Sequence, residues 1–104
     1  MNTLTLNNCS FVSLQSAFLN IICDTIDLSS CDLSNCKDMK YAFVNATVKT
    51  IKMKGAIPND ADVSSMFVGS FASNSKTGTF YYDKNHDYSK IIEQLPEGWT
   101  AVAE

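Results

Sequence analysis

The sequence predicts an α/β solenoid. It is a short right-handed coil with a parallel β-sheet on one side, short helices or 3-10 turns on the other, and a strand–helix cap at the C-terminal end. Three observations predict it. The chain repeats itself: residues 17–26 (Ala-Phe-Leu-Asn-Ile-Ile-Cys-Asp-Thr-Ile) and 42–51 (Ala-Phe-Val-Asn-Ala-Thr-Val-Lys-Thr-Ile) agree at Ala17/Ala42, Phe18/Phe43, Asn20/Asn45, Thr25/Thr50 and Ile26/Ile51. A fixed period of this size marks one supersecondary unit stacked on the next. Four segments share a Thr-apolar-x-apolar core, and the stretches that follow them carry apolar residues at helical spacing.

The strands come first. The shared cores are Thr3-Leu4-Thr5-Leu6, Thr25-Ile26-Asp27-Leu28, Thr50-Ile51-Lys52-Met53 and Thr79-Phe80-Tyr81-Tyr82, with leading apolar residues at steps of 22, 25 and 29. Alternation over four residues puts one face in and one out. Strands repeated in the same sense at each turn of a coil pair in parallel. Leu4, Ile26, Ile51 and Phe80 are therefore expected in one inward column. Leu6, Leu28, Met53 and Tyr82 follow in the neighbouring one.

The outer wall follows each strand. Phe11, Leu14 and Phe18 fall at i, i+3 and i+7, and Cys36, Met39 and Phe43 repeat them at offset 25. Asp60, Val63 and Phe67 do so again at offset 24, with the first position polar. Short helices or 3-10 turns are expected near 11–19, 36–44 and 62–68, with Ser13, Asn35 and Asp60 as N-caps. Gly55-Ala-Ile-Pro-Asn-Asp60 is a breaker cluster, and Ser70–Gly78 reads as a polar surface loop. Asp87 is placed to cap a helix over Tyr88–Leu95, which Pro96 and Gly98 stop. Trp99, Ala101 and Val102 then alternate as a closing extended segment. Ile91, Ile92, Leu95 and Trp99 are suited to covering the open end of the stack, whereas the first strand has no such cover. The 104 residues are expected to form a single domain of stacked repeats, with repeats at about 1–22, 23–47 and 48–76 and a C-terminal cap over 77–104.

Composition excludes several function classes. The chain is 45% apolar and 18% charged, which suits a globular core. Its net charge is −3 and it contains no arginine, which argues against nucleic-acid binding, where arginine supplies most phosphate and guanine contacts. No long apolar run is present, so neither a signal peptide nor a transmembrane segment is expected. Charge is uneven: residues 1–36 hold Asp24, Asp27 and Asp32 and no Lys, while 37–54 hold five Lys against Asp38. A solvated face accounts for this.

No site chemistry emerges. The four cysteines (9, 23, 31 and 36) lie in register with apolar positions, without a C-x-x-C, and His86 is alone. They are expected as small buried hydrophobes with free thiols, not as metal ligands. A bridge between the stacked Cys9 and Cys31 would require the turn to let their Cβ vectors converge. Asp83-Lys-Asn85-His-Asp87-Tyr-Ser89 imitates half a calcium loop, but Tyr88 stands where that loop needs glycine and Gln94 where it needs glutamate. Asn85 as a turn residue and Asp87 as a cap is the preferred reading. No nucleophile–base set, phosphate loop or cofactor motif occurs, so no enzyme, metal site or cofactor is expected.

The spacing after each leading apolar residue, with Cys9 and Cys31 at +5 and Phe11 and Leu33 at +7, follows the leucine-rich-repeat pattern. The unit Leu28-Ser-Ser-Cys-Asp-Leu-Ser-Asn-Cys-Lys-Asp-Met-Lys-Tyr-Ala-Phe-Val-Asn-Ala resembles the BspA-like leucine-rich repeats of bacterial surface proteins. The ending from Gly78-Thr-Phe-Tyr-Tyr to Gly98-Trp99 resembles the segment that closes such arrays. The resemblance implies a non-enzymatic adhesion or protein-binding module, at a cell surface or, as in related phage repeats, in a virion.

The outward strand face is the expected contact surface. It carries Thr3/Thr5, Thr25/Asp27, Thr50/Lys52 and Thr79/Tyr81. Its Thr ladder is both good sheet chemistry and the face a solenoid offers to partners. Thr5, Asp27, Lys52 and Tyr81 are the candidate partner-binding residues. The alternative is a structural subunit assembled through its uncapped first strand, at Thr3, Thr5 and Asn7. The expected partner is a protein or a second copy of the chain, with no nucleic acid and no membrane insertion.

Overall fold

The alternating segments do become strands, and they pair in parallel in chain order. In the computed structural model, which describes residues 3–68 and 78–104, the elements are β1 (Thr3–Ser10), β2 (Thr25–Asp32), β3 (Thr50–Met53), β4 (Gly78–Tyr82), α1 (Ser89–Ile92) and β5 (Trp99–Ala103). The sheet runs β1-β2-β3-β4-β5. Each strand lies on the one before it, giving a β-solenoid of about four turns. The Ser70–Gly78 loop and the two residues before Thr3 fall, except for Gly78, outside the described residues.

Register follows the expected columns. Leu4 pairs with Ile26, Ile26 with Ile51, Ile51 with Phe80, and Phe80 with Ala101. Ile26, Ile51 and Phe80 are fully buried. Leu28 pairs with Met53 in the second inward column. Leu6 does not continue that column cleanly, because the β1–β2 register shifts between Thr5 and Asn7 and again before Ser10. Asn8, inside the second shift, has φ of 57°, a left-handed conformation that asparagine tolerates.

The outer wall is built of turns: of the short helices or 3-10 turns expected near 11–19, 36–44 and 62–68, the helices do not form, and among the described residues only α1 is helical. Two physical causes act together. Wall N–H groups bond to the adjacent coil instead of to their own: Leu14 N–H to the Asp38 carbonyl (2.7 Å), Phe18 to Ala42 (2.8 Å), Met39 to Asp62 (2.8 Å), Phe43 to Met66 (2.8 Å). Positive φ at Ser16, Asn20, Tyr41, Asn45 and Ser65 also breaks any helical run. Short turns remain, closed by Ala17 N–H to Leu14 C=O and Ile21 N–H to Phe18 C=O, and by the same pair one coil on from Ala42 and Ala46. Asn20 and Asn45 are identical across the repeat because each takes the third, left-handed position of such a turn.

Of the expected caps, Ser13 Oγ accepts the Gln15 N–H at 3.2 Å and so shapes a turn. Asp60 lies exposed, its Oδ2 3.9 Å from Lys37 Nζ, and Asn35 is exposed as well. The core between sheet and wall holds a ring stack that runs with the coil. Phe18 and Phe43 lie 5.3 Å apart at 12°, and Phe43 and Phe67 5.4 Å apart at 5°. Offset-stacked aromatics gain about 0.5–1.5 kcal/mol per pair beyond burial. After β4, Ile91 is buried, with Ile92, Leu95 and Trp99 packed against the same core. β5 then adds a paired strand where only an extended segment was expected.

Candidate functional site

Two outward columns result from this register. Thr3, Thr25, Thr50, Thr79 and Thr100 form a continuous ladder across all five strands, so the expected run of Thr gains a fifth rung from β5. Beside it run Thr5, Asp27, Lys52, Tyr81 and Val102. All four candidate contact residues therefore share one column, on strands about 4.8 Å apart. Thr5 is exposed and the other three are half-buried.

Within that column the side chains are held. Asp27 Oδ1 accepts the Ser29 hydroxyl at 2.6 Å and the Ser29 N–H at 2.9 Å. The Ser29 hydroxyl, then its N–H, and lastly the Lys52 charge keep the Asp27 carboxyl below its ordinary value. Lys52 Nζ lies 5.4 Å from the centroid of the Tyr81 ring, within cation–π range. An acid, a base and an aromatic ring thus stand side by side on consecutive strands. Thr3, Thr5 and Asn7, the candidate assembly edge, are all exposed on β1.

The Asp27–Ser29 unit recurs at the corners of the coil. Asp32 with Ser34 and Asp62 with Ser64 show the same hydroxyl contact at 2.6 Å, with the N–H at 2.9 and 3.0 Å. Asp87 accepts the Ser89 N–H at 2.9 Å. In each case the serine contact lowers the carboxyl pKa. The half calcium loop resolves into two such turns. Asp83 Oδ1 accepts the Asn85 N–H, and Asp87 accepts at the foot of α1. Among the described residues no three His, Cys, Asp or Glu side chains converge as a metal site. The Asp-x-Ser triplets at 27, 32, 62 and 87 are visible in the sequence and are the signal for these turns.

The four cysteines are free thiols, Cys31 and Cys36 buried and Cys9 and Cys23 half-buried. Burial raises the pKa of Cys23, Cys31 and Cys36. Cys31 Sγ contacts the Leu6 carbonyl at 3.1 Å, across the coil-to-coil step.

A cleft that sequence reasoning missed opens beside Ser29 and Ser30 of β2 and the C-terminal ends of β3, β4 and β5. It encloses about 470 Å³, and its walls include Ser30, Lys52, Lys54, Tyr82, Lys84 and Glu104. Only the register brings these positions together, so no local motif announces them. Lys52 belongs to both the outward column and the cleft, which makes the two surfaces continuous.

Comparison with protein-family models, with curated proteins and with solved structures returns no match. Among the described residues no helix is long and apolar enough to cross a membrane. What is established is the architecture: a repeat-built β-solenoid whose polar outward column has a regular spacing.

Proposed function

We propose that this chain is a non-catalytic protein–protein interaction module of a bacterial cell-surface leucine-rich-repeat protein, binding through its outward strand face. The coil is right-handed in this reading, and the α1–β5 segment serves as its C-terminal cap. The single observation that carries it is the column Thr5–Asp27–Lys52–Tyr81, set on a hydrogen-bonded sheet beside a five-rung Thr ladder. A rigid sheet presents such groups at little entropic cost on binding, and a half-buried, outward-facing aromatic beside opposite charges is typical contact chemistry. No reaction is assigned.

The test is site-specific photo-crosslinking in cells that produce the chain. A probe at Thr79, on the face, should give a discrete adduct that Lys52→Glu or Tyr81→Ala abolishes without lowering the thermal midpoint. A probe at exposed Glu97 should not give that adduct. Equal crosslinking from both positions would end this reading.

A second reading is favoured by a different observation. The first coil is charge-free, and its strand edge is unpaired among the described residues. This supports a structural assembly subunit, such as a phage virion component, packed through Thr3, Thr5 and Asn7.

A further inference from the structure

The first coil is a charge-stripped copy of the second. Residues 1–22 contain no Asp, Glu, Lys or His. Register shows what has been replaced. Thr5 stands beside Asp27, Ser10 beside Asp32, and Ser13 beside Asp38. The Lys37 N–H donates to the Val12 carbonyl, and the 25-residue offset places Gln15 beside Lys40. Val12 and Ile22 occupy the places of Lys37 and Thr47, yet they are 76% and 77% exposed. Leu19 is exposed as well, and Leu4 and Leu6 are half-buried where Ile26 and Leu28 are fully buried.

Free strand edges are normally guarded by lysine, proline or inward charge. β1 has none of these. Thr3–Asn7 precedes the left-handed Asn8 and is about 17 Å long at the usual rise per residue, with its pairing to β2 in unbroken register over Thr3–Thr5. Of the five large apolar side chains exposed among the described residues, three fall in this uncharged coil and the other two, Tyr41 and Val68, in later ones; such a concentration marks a surface made to be covered.

We propose that the first coil is the contact surface between two copies of this chain related by a twofold axis. In the pair, β1 of one copy runs antiparallel to β1 of the other over Thr3–Asn7, and Val12, Leu19 and Ile22 are buried against the facing coil. This rests on the assembly reading above and names its partner. Charge selects the occupant. A charged partner would lose solvation here with nothing to compensate it, whereas an uncharged surface meets its own copy without like-charge repulsion, as a self-complementary interface requires. Head-to-tail stacking fits less well, because the opposite end of the stack carries the exposed acids Glu93, Glu97 and Glu104. Area agrees. The two shorter dimensions of the molecule are 24 Å each. Two facing ends then bury on the order of 1,000 Å², the lower bound for a specific interface.

The experiment is light scattering and sedimentation of the full chain over about 1–100 µM, a range that reads micromolar dissociation constants. A concentration-dependent dimer is expected. Val12→Lys and Thr5→Asp copy what the second coil carries at the same positions, so the coil accommodates them. Each is expected to weaken dimerisation at least about tenfold with unchanged circular dichroism. Lys84→Ala, at the far cleft, should leave the dimer intact. Hydrogen exchange on the unaltered chain is independent of any variant, and the Thr3–Asn7 amides should slow as concentration rises. A monomer throughout, or amides indifferent to concentration, overturns the inference. A dimer that survives both edge variants overturns this contact but leaves assembly through another face standing. Open-ended oligomers shortened by the variants overturn the twofold and point to head-to-tail stacking.

Discussion

Tyr88 donates its hydroxyl to the carbonyl of Gly55 at 2.6 Å, while the N–H of the same glycine donates to Asp83 Oδ2 at 3.0 Å. Both main-chain groups of one residue at the exit of β3 are therefore taken by side chains that follow β4. Gly55 sits at φ of 88°, where other residues are strained, so its backbone can turn to meet both partners. Tyr88 is almost wholly buried, its ring against Phe80 and Tyr82. Burial, with the Asp83 charge, raises the Tyr88 pKa well above its ordinary value, so the hydroxyl keeps its proton as a donor.

Tyr88→Phe keeps the ring and removes the donor, stranding the Gly55 carbonyl. The expected loss is about 1–3 kcal/mol of unfolding free energy, the cost of an unmet buried polar group. Denaturant titration measures it. Gly55→Ala should destabilise by a comparable amount through backbone strain alone, since no atom lies within 4 Å of where its Cβ would stand. A neutral result for both substitutions would remove the clamp from the account.

Stability should fall in acid. Serine or backbone donors hold Asp27, Asp32, Asp62, Asp83 and Asp87 below the ordinary aspartate value of 3.8. A carboxyl depressed by folding adds stability that is complete above its unfolded value and disappears as pH drops through the folded one. The thermal midpoint should therefore be level above about pH 5 on this account, then decline from near pH 4 downward. Ser29→Ala, Ser34→Ala and Ser64→Ala together should flatten that decline. A melting profile that keeps its acid slope in the triple variant would show that the hydroxyl contacts are not its source.

The ring stack should behave as one unit. Phe43 is fully buried between Phe18 and Phe67. Phe43→Ala opens a cavity in the middle coil and is expected to cost about 3–5 kcal/mol, much of the stability of a domain this size. Phe18→Ala, at the end of the stack, should cost distinctly less. Equal losses at the two positions would mean that the coils do not share load through the rings.

The strand columns were legible from residues alone. Alternation is a local property, and four copies of Thr-apolar-x-apolar admit only one inward face, whose leading column became Leu4, Ile26, Ile51 and Phe80. The wall was legible only in part. Spacing of Phe11, Leu14 and Phe18 identified the buried residues of that segment but not its backbone, because 3.6-residue periodicity cannot tell a helix from successive turns that bury the same side chains. The difference lies in the Leu14 and Phe18 N–H groups, which bond to carbonyls one coil away.

The cleft by Lys54 and Lys84, the hold on Gly55 and the fifth Thr rung at Thr100 have the same origin. Each joins residues that are distant in the chain and adjacent only once the coils are stacked. Sequence by itself determined the period, the inward faces and the charge-free first unit, because these are patterns of side-chain chemistry along the chain. Tertiary structure alone decided where the backbone hydrogen bonds go and which surfaces meet, because a main-chain N–H takes whichever carbonyl the stacking brings within reach.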